Sequence, residues 1–441
     1  MYKDSAKLGL VFFPAFDWQI SATHPERVER LLYTRDQLEE EGLLDLPAIR
    51  EYNPMMATMR DVERVHVGAP SLDKWVTDAH LVSAGGCIAA IEAVMRKEVE
   101  RAFALVRPPG HHAMRMVHGI RGFCTINVEA VMLAHLRRHY GNLRVVVIDT
   151  DVHHGDGSED VFYHDPDILY ISFHQDGRTL YPGTGFIPTF GGPQAIGSNV
   201  NIPLPPGTGD EGLHLVLDEI ILPILEEWKP DLIINSAGQD NHFTDPLANM
   251  KVTARGYAKM AEKLKANVAV LEGGYAVQDA LPYVNTAIVL AMADMDYSQV
   301  VEPAFSEDEV RQSQTVTRQV EAVIREVQEQ WKRKEEIQRQ VLAETGDVWH
   351  RQRSIFYDES GVYEKQLEKI PLYRDSLGYH QIISRSQGSP YGTQEVGAVI
   401  IPRQASNKCK NEGRDAALRL KKEGIRRVVL LDESEDGQEE L

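Results

Sequence analysis

The sequence predicts an α/β fold with a largely parallel sheet and helices on both faces. Three observations carry that reading. From Ala102 to Tyr275, short apolar strands alternate with helical stretches, which is the pattern of parallel βαβ units. Each strand runs into a polar or glycine-rich loop. One loop packs three carboxylates and two imidazoles into the eight residues Asp149 to Asp156. Open α/β sheets gather their chemistry at the carboxyl ends of strands.

The candidate strands are Ala102–Val106, Val145–Ile148, Ile168–Phe173, Leu232–Asn235 and Val268–Leu271, each a short apolar run. The candidate helices are Ser83–Glu100, Val128–His139, Asp210–Trp228 and Thr253–Lys265. The loops are Arg107–His112, Thr150–Asp156, His174–Gly185, Ser236–His242 and Glu272–Tyr275. Loops at one edge of one sheet can converge on one site.

Beyond about residue 300 the character changes. Gln319–Glu344 is highly charged, with Val320, Val323, Ile324, Val327 and Trp331 at helical spacing. It reads as an amphipathic helix packed on the main domain, with a partner-binding helix or short coiled coil as the alternative. Val396–Pro402, Glu412–Lys422 and Arg427–Leu431 read as a β-α-β unit. The expected organisation is a main domain over 1–300, a charged helical segment over 301–345, a small extension over 346–431 and an acidic tail over 432–441. The tail reads as solvated and disordered.

A chain of 441 residues suits one large domain with an extension, or two to three domains. The net charge of −19 argues against direct nucleic-acid binding, which needs clustered basic residues. It suits a cationic substrate or simple solubility. No apolar run approaches the ~20 residues that span a bilayer, and Met1–Leu10 is too polar for a secretory signal. The expectation is a cytoplasmic protein without membrane contact. Cys87, Cys124 and Cys409 lie far apart, which suggests a reducing compartment and neither a disulfide framework nor a cysteine zinc site. The sequence leaves the oligomeric state open, a homo-oligomer included.

Asp151 and His153 are two apart, so on an extended backbone they share a side, as does Asp149. Asp240, in the loop after Leu232–Asn235 on the same edge, is the best third ligand. Two carboxylates and one imidazole leave open positions, the catalytic rather than the structural pattern. Oxygen-rich ligation admits ferrous iron beside zinc. His111 and His112 sit in a loop stiffened by Pro108, Pro109 and Gly110. Paired imidazoles suit general base and acid duties, and each needs an orienting carboxylate. Asp149 and Asp156 remain for them. Gly273 and Gly274 let the chain turn sharply off a strand end. That turn presents Tyr275, either as a donor to an oxyanion or as a packed turn residue. Gly122, Phe123 and the Tyr181–Gly185 loop supply walls for a narrow tunnel, or ordinary core.

At this point the residues resemble a known family. VRPPGHHA (Val106–Ala113), GFC (Gly122–Cys124), DTDVHHGDG (Asp149–Gly157), SAGQDNH (Ser236–His242) and LEGGY (Leu271–Tyr275) look like the histone deacetylase and acetylpolyamine amidohydrolase superfamily. HPERVERL (His24–Leu31) resembles its opening motif, and RPPGHH is closer to the class II and bacterial branch. The likeness runs from about residue 8 to 295. It implies an arginase-like three-layer fold with a central parallel sheet of about eight strands, plus the C-terminal extension. It implies Zn2+ on Asp151, His153 and Asp240, with Fe2+ as alternative. His111 and His112 would flank it, backed by Asp149 and Asp156, with Tyr275 polarising the scissile carbonyl. It implies K+ at Asp149, Asp151, His153 and Ser172, and a second, mainly backbone, K+ site at Phe162, Asp165 and Ile168. Phe123 and Tyr181 match tunnel walls, Gly122 a carbonyl that takes the substrate amide hydrogen, and Gly273 and Gly274 the substrate-facing turn.

The chain departs from the family pattern at Thr150, Asp156-Gly157, Gln239, Asn241 and Ile126-Asn127. The implied reaction is metal-dependent hydrolysis of an acylated amine. His112 is the preferred base, and His111 assists. The segment between His66 and Ala84 is short, without the long insertion of acetylpolyamine enzymes. That favours acyl-lysine in a peptide or protein, with a deacetylase of polyamines or another small amide as the alternative.

Overall fold

The computed structural model describes residues 6–192, 195–344, 348–356, 365–374, 380–386, 394–403 and 405–441. Parts of the expected extension 346–431 therefore lie outside the described residues. Eight strands form the central sheet: β1 (Ala6–Phe13), β2 (Ile49–Tyr52), β3 (Val99–Val106), β4 (Val145–Asp149), β5 (Ile168–Gln175), β6 (Asn199–Leu204), β7 (Leu232–Ala237) and β8 (Val268–Leu271). Their order is β2-β1-β3-β8-β7-β4-β5-β6, and every neighbouring pair is parallel.

Three layers follow from strand alternation. Along β4, Val146 and Ile148 join one core while Val145 and Val147 join the other. The same split runs along β3, with Phe103 and Leu105 on one face and Ala102, Ala104 and Val106 on the other. Asp149 is in register with Ser172 of β5 and Ser236 of β7, and Leu271 with Ala237. The loops therefore leave the sheet at one level, which is what lets them meet.

Several boundaries differ from expectation. The helix expected over Ser83–Glu100 spans Asp78–Met95. Lys97 then takes a left-handed conformation (φ +61°), and β3 begins at Val99. The helix starts early because Thr77 caps it, its backbone N–H donating to His80 Nδ1 at 3.1 Å. It is apolar and long enough to match a membrane span by composition, yet it lies largely buried within the second core. Asp210–Trp228 is helical throughout, with one wide π turn at Leu217–Ile221. Strands β1, β2 and β6 carry no clear sequence signal. β6 reads NVNIPL; as an edge strand it tolerates Pro203, and Asn199 and Asn201 both donate to Glu159 Oε2.

The charged stretch after residue 310 forms helices Gln314–Lys332 and Lys334–Glu344. Val320, Ile324, Val327 and Trp331 are buried in the same core as the sheet. Farther on, a second sheet includes the parallel pair Gln394–Ile401 and Arg427–Asp432, joined by helix Asn407–Lys422. Its strands alternate too: Val399, Ile401, Val428 and Leu430 meet that helix, while Val396, Ala398, Ile400, Val429 and Leu431 pack with Val67 of the main domain. The tail corrects the expectation of disorder. Gln438–Glu440 pairs antiparallel with Arg427–Asp432, and Asp436 bonds Arg60, Arg64 and Arg138. Glu433 and Asp436 meet arginines of the main domain, while Glu435, Glu439 and Glu440 pair with Arg414 and Arg427 of the unit itself.

Candidate active site

Asp151, His153 and Asp240 meet at the carboxyl edge of the sheet, with one donor atom from each within 4.8 Å of the others. His153 Nδ1 lies 3.1 Å from both Asp151 Oδ1 and Asp240 Oδ2. Backbone N–H groups aim the carboxylates: Val152 donates to Asp240 Oδ1 at 2.8 Å and Gly273 to Asp151 Oδ2 at 2.7 Å. Gly273 has no substitute here, since a Cβ would fall 2.2 Å from Asp240 Oδ2 and 2.5 Å from Asp151 Oδ2. Burial and the nearby Asp151 charge raise the Asp240 carboxyl. Against burial, Asp151 and Asp240 lift His153 to about 10. Two crowded, buried carboxylates around one imidazole form a donor set that fits a divalent cation.

Two His–Asp pairs flank this cluster. His111 Nδ1 lies 3.1 Å from Asp149 Oδ2, and His112 Nδ1 lies 2.9 Å from Asp156 Oδ1. The imidazole ring centres are 4.1 Å apart. Burial and the adjacent His111 push His112 down to about 3. Burial opposes charge on His111, but Asp151 and Asp149 outweigh it and raise that imidazole. Arg121, absent from the sequence reading, pairs with Asp156 and keeps that carboxyl low despite its burial. Tyr170 on β5 donates to Asp149 Oδ2 at 2.7 Å.

The Glu272–Tyr275 turn is held from outside. Arg30 donates to the carbonyls of Glu272 and Gly274, and its guanidinium lies 5.0 Å from the Tyr275 ring centre. Glu26 bridges Arg30 and Arg107 with both side chains buried, so the HPERVERL stretch ties two loops of the site together. The i,i+4 spacing of Glu26 and Arg30 was the signal available in the sequence. Glu272 itself accepts from the N–H of Gly110 and His111 at 2.8 and 3.1 Å.

Phe123 and Tyr181 lie beside Tyr275 and His112, respectively. The Phe123 ring centre is 4.3 Å from His24 and 5.5 Å from Tyr275. Tyr181, 38% exposed, lies 5.1 Å from His112 and 6.3 Å from His153 by ring centres. Gly122 has φ +49°, and a Cβ there would sit 2.3 Å from His112 Cδ2. Ser172 is buried below, its hydroxyl 2.8 Å from His174 Nδ1. Phe162, Asp165 and Ile168 fall elsewhere, on the turn into β5. There the Phe162 carbonyl accepts from Asp165 N at 2.9 Å and the Asp165 carboxylate pairs with Arg137.

Two of the departures from the family pattern, Thr150 and Asn241, bond to each other. Asn241 donates to the Thr150 carbonyl at 2.8 Å and Asn235 to the Thr150 hydroxyl at 3.0 Å. Gln239 donates to Asn285, which donates to Thr34 at 2.8 Å. Cys124 gathers with His111 and Glu272 in a second three-donor group. Burial raises the Cys124 thiol well above its ordinary pKa, which keeps it protonated and a poor metal ligand.

Fold and site together define the class: a three-layer α/β protein with a buried Asp-His-Asp cluster, flanked by two His–Asp pairs, at the carboxyl edge of a parallel sheet. Residues 71–292 match the histone deacetylase domain. A probable deacetylase of Archaeoglobus fulgidus is 46% identical over 323 residues, covering 67% of this chain and 89% of that protein. Histone deacetylase 14, chloroplastic, of Arabidopsis thaliana is 40% identical over 244 residues, covering 52% of this chain and 57% of that protein. The crystal structure of the HDA15 HD domain aligns with a TM-score of 0.64 at 27% identity, covering 77% of this chain and 99% of that one. The chain belongs to the histone deacetylase domain family.

Proposed function

We propose that this chain hydrolyses the amide of a short-chain acylated amine, with acyl-lysine in a peptide or protein as the preferred substrate. The observation that carries the reading is the pair of His–Asp dyads, His111–Asp149 and His112–Asp156, set against the Asp151, His153 and Asp240 cluster. A divalent ion held by those three residues, Zn2+ first and Fe2+ as the alternative, would supply Lewis-acid polarisation and a more acidic water.

The residues divide the work by their surroundings. His112, kept neutral by burial and its neighbour, takes a proton as general base, and Asp156 fixes its tautomer. His111, steadied by Asp149, supplies positive charge and the proton for the leaving amine. Tyr275 donates its hydroxyl to the developing oxyanion; the buried tyrosine stays protonated because burial raises its pKa. Phe123 and Tyr181 guide the alkyl chain, the Gly122 carbonyl accepts the substrate amide hydrogen, and the Gly273–Gly274 turn seats the acyl group. K+ at Asp149, Asp151, His153 and Ser172 would balance the buried acids. The Phe162, Asp165 and Ile168 turn is the second K+ candidate.

The short His66–Ala84 segment, only 19 residues inclusive, favours a peptide over a polyamine. The test compares kcat/KM on an acetyl-lysine peptide and on acetylpolyamines, with the full chain loaded with Zn2+ or Fe2+. The peptide should lead by tenfold or more. A reversed ratio assigns the small-amine reading, and turnover of neither substrate with either metal overturns deacylation.

A further inference from the structure

Where the C-terminal unit meets the main domain there is a cavity of about 280 Å3. A water occupies about 30 Å3 of liquid, so the space holds a small polyatomic ion. Five arginines line it: Arg64, Arg115, Arg137, Arg138 and Arg403. The acids on its wall are already engaged. Asp436 is shared by Arg60, Arg64 and Arg138, Glu433 pairs with Arg115 at 2.9 Å, and Glu435 with Arg414 at 3.2 Å. Asp432 faces Lys410.

Arg137 and Arg403 are left over. Arg137 is 9% exposed and spends only Nη1 on Asp165. Its Nε and Nη2 are buried without a partner, and so is Nε of Arg403. Nε and Nη2 form one edge of the guanidinium, the fork that grips two oxygens of an oxyanion. Burial and the Arg137 charge pull the Arg403 guanidinium below its ordinary pKa, although Glu433, Asp165 and Asp167 act on both cations in the other direction. Buried, unpaired donors are costly enough that native structures rarely keep them.

We propose that this junction is a binding site for a phosphate group carried by a small soluble molecule. The Arg137 fork takes two oxygens and Arg403 Nε a third. The bound ion bridges helix Val128–Tyr140 of the main domain to Arg403, two residues past strand Gln394–Ile401. The cavity wall also includes Phe162 and Val161, at the end of the helix that starts at Asp156, the partner of His112. Phosphate occupancy therefore clamps the C-terminal unit onto an element of the active site.

The test uses the full chain and inorganic phosphate, against chloride and acetate at matched ionic strength. Calorimetric titration should show saturable phosphate binding, and the wild-type melting temperature should rise by about 3 °C near saturation. Arg403→Met leaves the Arg137–Asp165 pair intact and should weaken phosphate binding at least tenfold; Arg403→Lys should fall between. Acetate should bind far more weakly. The proposal fails if phosphate does no more than chloride, if acetate matches it, or if Arg403→Met responds like the wild type. The last result means an adventitious ion only.

Discussion

The Nε–H of Arg30 donates to the carbonyl oxygen of Gly274 at 2.6 Å, across 244 residues of sequence. The same guanidinium bonds the Glu272 carbonyl and, at 3.0 Å, Glu26. Three directions of one planar group thus hold the turn that presents Tyr275. An ammonium cannot reproduce that fork.

Arg30→Lys should consequently lower kcat by up to about 100-fold, the scale of an ångström-sized misplacement, while bound metal stays constant. Melting temperature and metal content measured beside kcat separate misplacement from unfolding. Unchanged turnover would mean that the turn holds itself.

Tyr275→Phe removes one hydroxyl and little packing. The expected cost is about 100- to 1000-fold in kcat, with bound metal and melting temperature at wild-type levels. Turnover within a few-fold of wild type would remove Tyr275 from the chemistry.

Gly273→Ala drives a methyl group to within 2.2 Å of Asp240 Oδ2, so the two carboxylates must move apart. Metal affinity should fall by about 10- to 100-fold, as for other disturbances just outside a ligand set. Competition with a chelator reads this directly, and an unaltered Kd would show that the carboxylates tolerate the shift.

Acid should destabilise the fold through His66. Its Nε2 accepts from the Asn127 N–H and its Nδ1–H donates to the Met114 carbonyl, both at 2.8 Å. A second ring proton would face a donor, and burial holds the pKa down to about 4. Because the unfolded chain binds the proton more readily, the stabilisation is complete above about pH 6.5 and is lost as pH falls towards 4. His66 alone should remove about 2 kcal/mol between pH 7 and pH 5. His80, also buried and lowered to about 4, adds to the loss. Urea unfolding at the two pH values measures it, and equal free energies would contradict the assignment.

Much of the site was legible because its chemistry is local. Asp151 and His153 stand two apart after a β-branched run, and His111 and His112 are adjacent in a stiff loop. Residue type and spacing suffice for such features. Arg121 and Tyr170 were not legible, because each reaches the site across the fold and resembles an ordinary surface or core residue in its own segment; Arg30 showed only its i,i+4 spacing to Glu26. β6 escaped notice for a related reason: the side-chain amides of its asparagines donate to Glu159, 40 and 42 positions away.

The sequence by itself determined the α/β alternation, the glycine turns and the inventory of metal- and proton-handling side chains, since these depend on neighbours along the chain. Tertiary structure decided which carboxylate serves which histidine. Asp149 went to His111 and Asp156 to His112, because strand register sets where each loop begins. It also decided the fate of the acidic tail, which pairs with arginines near residues 60 and 138. Charge alone predicts solvation; only the packed fold supplies the opposite charges that order it.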